Sequence, residues 1–258
     1  MTRKPPAMRI DSAISAMRKH EPPGGYVGGF SGGKDSVVIK RLAVIAAVDV
    51  AWRYNVTGID PPELIRFIKR HHPGVSWRFA KKPFFQRVPE KGIPTRRFRW
   101  CCEEYKECPP PKGSVFVAGT RAEESPRRAK AWGEFSKHKR SNTWTLSPII
   151  DWTEADVWDF IEQENLPYCS LYDEDFSRLG CVGCPLSSTI AKRREFKRWP
   201  RYEMLWRKAL HELWLRRAGT RQRDGREWFG SALFGGEDDL WEWWIDNNRA
   251  LPKAKGTE

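Results

Sequence analysis

Apolar runs long enough to cross a membrane are missing from this 258-residue chain: no stretch approaches the roughly 18 consecutive apolar residues that a spanning helix needs. No membrane-spanning helix is therefore expected. The opening MTRKPPAMRI has no apolar core, so a secretory signal is not expected and a cytoplasmic enzyme is. Only five histidines occur, none with catalytic or zinc-ligand spacing, and the His71–His72 pair reads as charge at a helix C-terminus. No internal repeat is visible. Cysteine is sparse, six in all, and in a cytoplasmic setting these are reduced thiols or metal ligands rather than a disulfide framework. Acidic residues fall short of basic ones, 33 against 46, leaving a formal charge of +13 that points to a polyanionic partner.

The P-loop pattern GxxxxGKS/T is missing too. In its place stands Ser31-Gly32-Gly33-Lys34-Asp35-Ser36, where a single residue separates the first glycine from the lysine. Tyr26, Val27 and Phe30 before it read as a strand, and Val37, Val38, Ile39, Leu42, Ile45 and Ala46 after it as one face of a helix. Two glycines let backbone N–H groups approach an anion, the new helix turns its positive end to the same spot, and Lys34 and the hydroxyls add donors. This is chemistry for polyphosphate. The stretch resembles the SGGxDS signature of the PP-loop ATP pyrophosphatases (adenine nucleotide alpha hydrolases), whose members cleave ATP between its α and β phosphates.

Further strands are expected at Val48–Val56, Val75–Ala80, Val115–Ala118 and Trp144–Ile149, with helices at Met8–His20, after Pro61-Pro62, at Phe84–Glu90 and after Thr153, whose partner Asp156 stands three residues on. Residues Glu123–Asn142 show little periodicity and read as a mobile loop or lid. Strands alternating with helices predict an α/β fold: a doubly wound, mostly parallel five-stranded sheet, Rossmann-like, with ligands at the carboxyl ends of its strands. Residues 1–190 would form the nucleotide-binding domain, and 191–258 a basic, helical C-terminal region. Between Leu186 and Arg226 stand 13 lysines and arginines against four acids, interleaved with Trp199 and Trp206 and followed by Trp228. Nucleic acid is the partner such a stretch would follow, although tryptophans at helical spacing also suit a core.

Cys181-Val182-Gly183-Cys184, followed by Pro185, is a tight knuckle that can bring two thiolates to one metal centre. Zinc, a redox dithiol and an iron-sulfur cluster all remain open on that motif alone, and the adjacent Cys101-Cys102 suits the larger face of a cluster. SGGKDS, RWCC at Arg99–Cys102 with Lys106 close behind, GTRAEES at Gly119–Ser125, PIIDWTEADVW at Pro148–Trp158 and SRLGCVGCP at Ser177–Pro185 occur in the order of the phosphoadenosine phosphosulfate reductase family, which the chain resembles over roughly residues 25–190. That resemblance implies a 4Fe-4S cluster on Cys101, Cys102, Cys181 and Cys184, beside an adenine nucleotide. Cys108 is a candidate relay thiol, and Cys169 reads as packing.

Nucleotide-binding residues are then Ser31, Gly32, Gly33, Lys34, Asp35, Ser36, Gly119 and Arg121, with Lys34 and Arg121 as the catalytic pair and Arg127 and Arg128 able to close over the site. Asp35 and Asp60 are candidates for Mg²⁺. Reductases of the family use a cysteine in a late ECGLH-type motif, and no cysteine follows Cys184 in this sequence. The expectation is therefore an ATP-dependent sulfurtransferase that adenylates a nucleic acid, tRNA or DNA, with a sulfur-donor protein as further partner. The alternatives are an adenylyl or phosphoadenylyl sulfate reductase, and a non-catalytic nucleotide- or DNA-binding module.

Overall fold

The computed structural model describes residues 5–107, 110–111, 113–137, 143–218, 220 and 234–246. In chain order these form α1 (Pro6–Lys19), β1 (Tyr26–Gly29), α2 (Lys34–Ala46), β2 (Val50–Val56), α3 (Pro62–His71), β3 (Ser76–Phe79), α4 (Phe84–Lys91) and α5 (Trp100–Tyr105). Then follow β4 (Val115–Val117), α6 (Pro126–Ala131), β5 (Phe135–Lys137), β6 (Trp144–Leu146), α7 (Glu154–Gln163), α8 (Thr189–Arg198), α9 (Pro200–Arg217) and α10 (Glu237–Ile245).

The strands make one sheet in the order β3-β2-β1-β4-β6-β5. Pairs β1–β2, β1–β4 and β4–β6 are parallel, as the alternation of strands and helices predicts. One strand more than expected is present. β5 lies inside the segment read as a loop, antiparallel to β6 at the sheet edge. Three residues are too few to show a period of two, and what fixes the strand is tertiary: Phe135 stacks on Trp144 at 4.8 Å and on His20 at 4.1 Å.

The chain divides into two compact units, one of Met1–Asn55, Pro62–Arg78 and Cys108–Leu179, the other of Val56–Pro61, Phe79–Glu107 and Gly180–Glu258. No single cut near residue 190 separates them, because the cysteine-bearing stretches pack with the C-terminal helices. In the second unit Trp206 is fully buried, with its ring 4.5 Å from Trp244 and 5.1 Å from Phe84. Trp199 is buried as well, so Trp199 and Trp206 of the basic stretch serve packing, and Trp214 is half-buried; Trp228 lies outside the described residues.

In the first unit α2 and α7 bury Val38, Ile39, Leu42, Val157 and Phe160 around Val117 and Leu146 of the sheet. Helix α7 begins as its sequence predicts: Thr153 Oγ1 accepts from the Asp156 N–H at 3.2 Å, and Asp156 Oδ2 accepts from the Thr153 N–H at 2.8 Å. Asp156 Oδ1 also accepts from Arg9 Nη2 of α1 at 2.5 Å, with both side chains buried. An Arg9→Met exchange would leave that carboxylate buried without its cation, and should cost about 3–5 kcal/mol in urea unfolding, against well under 1 kcal/mol for the exposed pair Arg66–Glu63.

Candidate active site and thiol centre

Strand β1 ends at Gly29, and four residues separate it from α2. Gly32 takes φ +74°, and a Cβ there would stand 2.6 Å from Leu64 Cδ1 and 2.8 Å from Ile68 Cδ1, both of them buried. Only glycine passes through that point. Gly33 caps α2, and the serines brace the turn: Ser36 Oγ donates to the Gly33 carbonyl at 2.7 Å, Ser31 Oγ donates to Ser36 Oγ at 3.3 Å and accepts from the Gly33 N–H at 3.3 Å. The early amides of a thirteen-residue helix thus meet a fixed glycine turn, an arrangement that receives phosphate oxygens.

The two cations expected to act here each have a partner from the chain. Lys34 is buried; its ammonium donates to the Ser177 carbonyl at 3.1 Å, pairs with Glu154 Oε1 at 3.0 Å and stands over the Tyr172 ring at 5.2 Å. Its backbone N–H donates to the Tyr172 hydroxyl at 3.0 Å. Arg121, buried just past β4, donates from Nε to Asp35 Oδ1 at 2.5 Å and from Nη1 to Glu123 Oε2 at 2.7 Å. Burial works to lower its pKa, but Asp35 and Glu123 outweigh burial and hold the guanidinium above its ordinary value. Gly119 explains the approach: a Cβ there would lie 3.0 Å from the backbone of Asp35.

Gly119, Arg121, Asp35 and the loop are therefore brought together, as the sequence predicts. Arg128 pairs with Glu124 instead of facing the loop's carboxylates, and the side chain of Arg127 lies outside the described residues. Tyr172, Glu154 and Ser177 go unread in the sequence, since a contact across 120 to 143 residues leaves no periodic trace. A polyphosphate entering the loop would exchange with Glu154 for Lys34 and with Asp35 and Glu123 for Arg121. In that exchange one anion replaces another, so that each buried cation keeps an anionic partner.

All four predicted ligand cysteines belong to the second unit and are partly buried. Cys101 and Cys102 sit in the first turn of α5, and Cys181–Cys184 form a turn whose Gly183 has φ +74°. A Cβ on Gly183 would stand 2.6 Å from Trp206 Nε1 and 2.7 Å from Phe196 Cζ. The turn is held from several sides: the Val182 N–H donates to the Ile59 carbonyl at 2.8 Å, Trp206 Nε1 donates to the Val182 carbonyl at 3.1 Å, and the Gly183 N–H donates to Glu195 Oε2 at 2.7 Å. Packing rather than a bond between sulfurs shapes this knuckle.

The neighbouring Cys101 lowers the Cys102 thiol to about 6, against burial and with help from Lys106, while Cys102 and burial raise Cys101. Burial raises Cys181, whose Sγ donates to Thr57 Oγ1 at 3.7 Å. Lys106 is raised chiefly by Cys181, with burial opposing and Asp60 adding. That attraction needs a Cys181 thiolate, whereas burial keeps the thiol protonated; the pair forms only where Cys181 gives up its proton, as metal ligation requires. Among the described residues no three His, Cys, Asp or Glu side chains form a group that could hold a metal ion.

Asp60 is placed with the cysteines' unit and its buried carboxylate is used locally, Oδ2 accepting from the Thr57 N–H at 2.8 Å. Cys169 is buried in the other unit, where burial raises its thiol, and Cys108 lies outside the described residues. No described helix is long and apolar enough to cross a membrane.

A largely parallel sheet whose first strand opens through SGGKDS into a helix defines an α/β nucleotide-binding protein of the PP-loop class. Residues 26–187 match the phosphoadenosine phosphosulfate reductase domain. The chain belongs to that family. An uncharacterized protein of Methanocaldococcus jannaschii is 31% identical over 186 residues, covering 69% of this chain and 45% of that protein. An adenosine 5'-phosphosulfate reductase of Allochromatium vinosum is 29% identical over 154 residues, covering 53% and 57%. The crystal structure of a phosphoadenylyl-sulfate reductase from Candida auris superposes with a TM-score of 0.51 at 14% identity, over 71% of this chain and 97% of that one. The chain spans about half the length of the first curated relatives it matches.

Proposed function

We propose that this protein binds ATP at residues 31–36, transfers its adenylyl group to an oxygen of a nucleic acid with release of pyrophosphate, and directs sulfide-level sulfur to the activated position, where it displaces AMP. The observation that carries the reading is the loop itself: Gly32 fixed between Leu64 and Ile68, and the first-turn amides of α2 beside it. Those amides take the charge that builds on the leaving pyrophosphate as the acceptor oxygen displaces it at the α-phosphorus. Lys34 and Arg121, released from Glu154 and Asp35, neutralise the phosphates, and Asp35, freed from Arg121, is the carboxylate we assign to Mg²⁺.

Cys101, Cys102, Cys181 and Cys184 lie in one unit, with Cys102 shifted toward thiolate, and thiolates are the donors an iron-sulfur group takes, although the described residues hold no preformed group of three ligands. When bound, a 4Fe-4S cluster on Cys101, Cys102, Cys181 and Cys184 supplies the chemistry of sulfide. The protein's own part is to fix the ligands, through Glu195 and Trp206 on the knuckle and Thr57 beside Cys181. Exposed Arg194, Lys197, Arg198, Arg201 and Lys208 on α8 and α9 support an acidic polymer as acceptor; Arg221, Arg223 and Arg226 lie outside the described residues.

The relatives named as adenylyl sulfate reductases support a second reading, reduction of a sulfonucleotide. One assay separates the two. Pyrophosphate released from ATP only when tRNA or DNA is added supports adenylation, whereas sulfite formed from adenylyl or phosphoadenylyl sulfate with thioredoxin replaces it.

A further inference from the structure

The second unit carries an aromatic-basic tip that neither the nucleotide loop nor the thiol centre uses. It is the turn at Thr95–Phe98, just ahead of Cys101. Its base is anchored: Trp100 Nε1 donates to the Gly92 carbonyl at 3.0 Å, Trp244 Nε1 donates to the Pro94 carbonyl at 2.9 Å, and Ile93 is buried. Its tip is closed on itself, the Thr95 N–H donating to the Phe98 carbonyl at 3.0 Å and the Phe98 N–H to Thr95 Oγ1 at 3.1 Å. Arg96 ties it down by donating from Nη2 to the Leu186 carbonyl at 3.0 Å.

This bracing leaves Arg97, Phe98 and Arg99 in solvent, with Phe98 53% exposed. Among the described residues the Phe98 ring stacks on no other ring, and neither Arg97 nor Arg99 has a side-chain hydrogen bond or ion pair. From Gly92 to Cys102 the sequence contains no acid. An exposed phenylalanine alone is ordinary. One held rigidly between unpaired guanidiniums, three residues from a candidate ligand cysteine, has the make-up of a base-stacking platform: the ring offers its face to any nucleobase, and the arginines meet the phosphates on either side.

We infer that Phe98, with Arg97 and Arg99, stacks an unpaired base of the nucleic-acid acceptor and presents that strand to the thiol centre. This rests on the nucleic-acid reading given above. The platform selects single strands, because a paired and stacked base has no free face to give.

The test is fluorescence anisotropy with a labelled twelve-nucleotide single strand, as DNA and as RNA, and the same sequence as duplex, using the full chain at fixed salt. Phe98→Ala should bind the single strands roughly ten-fold more weakly, the order of one base–aromatic stack, with duplex binding unchanged and Phe98→Trp close to the parent. Arg97→Ala should lower the salt slope for single strands by about one. Unchanged thermal melting and ATP binding in Phe98→Ala show that the loss is local. Single-strand binding that is indifferent to Phe98, or equal loss for strand and duplex, overturns the platform while leaving the nucleic-acid reading standing. No binding of either by the parent protein overturns both.

Discussion

Gly32→Ala abolishes nucleotide binding in the expected outcome, measured by calorimetry with a non-hydrolysable ATP analogue. Two effects act together. The residue must hold φ +74°, which costs a side-chain-bearing residue about 1–3 kcal/mol, and the new methyl would have to share space with Leu64 Cδ1 at 2.6 Å and Ile68 at 2.8 Å. Because Leu64 and Ile68 are themselves fully packed, the turn and not the core is what gives. The amides of α2 then no longer point to one spot, and a loss of about 3 kcal/mol or more in binding, over a hundred-fold, follows. An alanine at Gly33, whose backbone is extended and whose nearest neighbours would be hydroxyls at 3.3 and 3.4 Å, should cost much less. Equal effects at the two glycines would show that the loop does not work through its backbone.

Cys181→Ser should remove the visible absorbance and most of the iron of anaerobically purified protein. Loss of an outer partner to a metal ligand commonly costs 10- to 100-fold in affinity, and loss of a ligand costs more. The hydroxyl is a far weaker ligand than a thiolate. Cys169→Ser, at a buried thiol in the other unit, should leave iron content unchanged. Full iron retention in Cys181→Ser would sink the ligand assignment. Zinc with no iron would keep the thiol site and replace the cluster.

The phosphate loop was legible because its chemistry is contiguous: six residues carry the turn, the charge and the helix start. So was the start of α7, where Thr153 and Asp156 satisfy one another within a single turn. Strand β5 was hidden by its length, and by a cause that lies in His20 and Trp144. The partners of Lys34 were hidden for the same reason, since Glu154, Tyr172 and Ser177 reach it only through the folded chain. Asp60 shows the converse case: a carboxylate after a strand suggests a cation, yet its oxygen closes the turn at Thr57.

The path of the chain has a consequence for how this molecule folds. It passes between the two units five times, so each unit is assembled from three separated stretches. A chain released after residue 190 would carry Phe84 without Trp206, on which it packs, and the turn at Gly183 without Trp206 and Phe196. The thiol knuckle therefore takes its shape only once α8 and α9 are made, and a metal held there would load after those helices rather than while the first 190 residues are being synthesised.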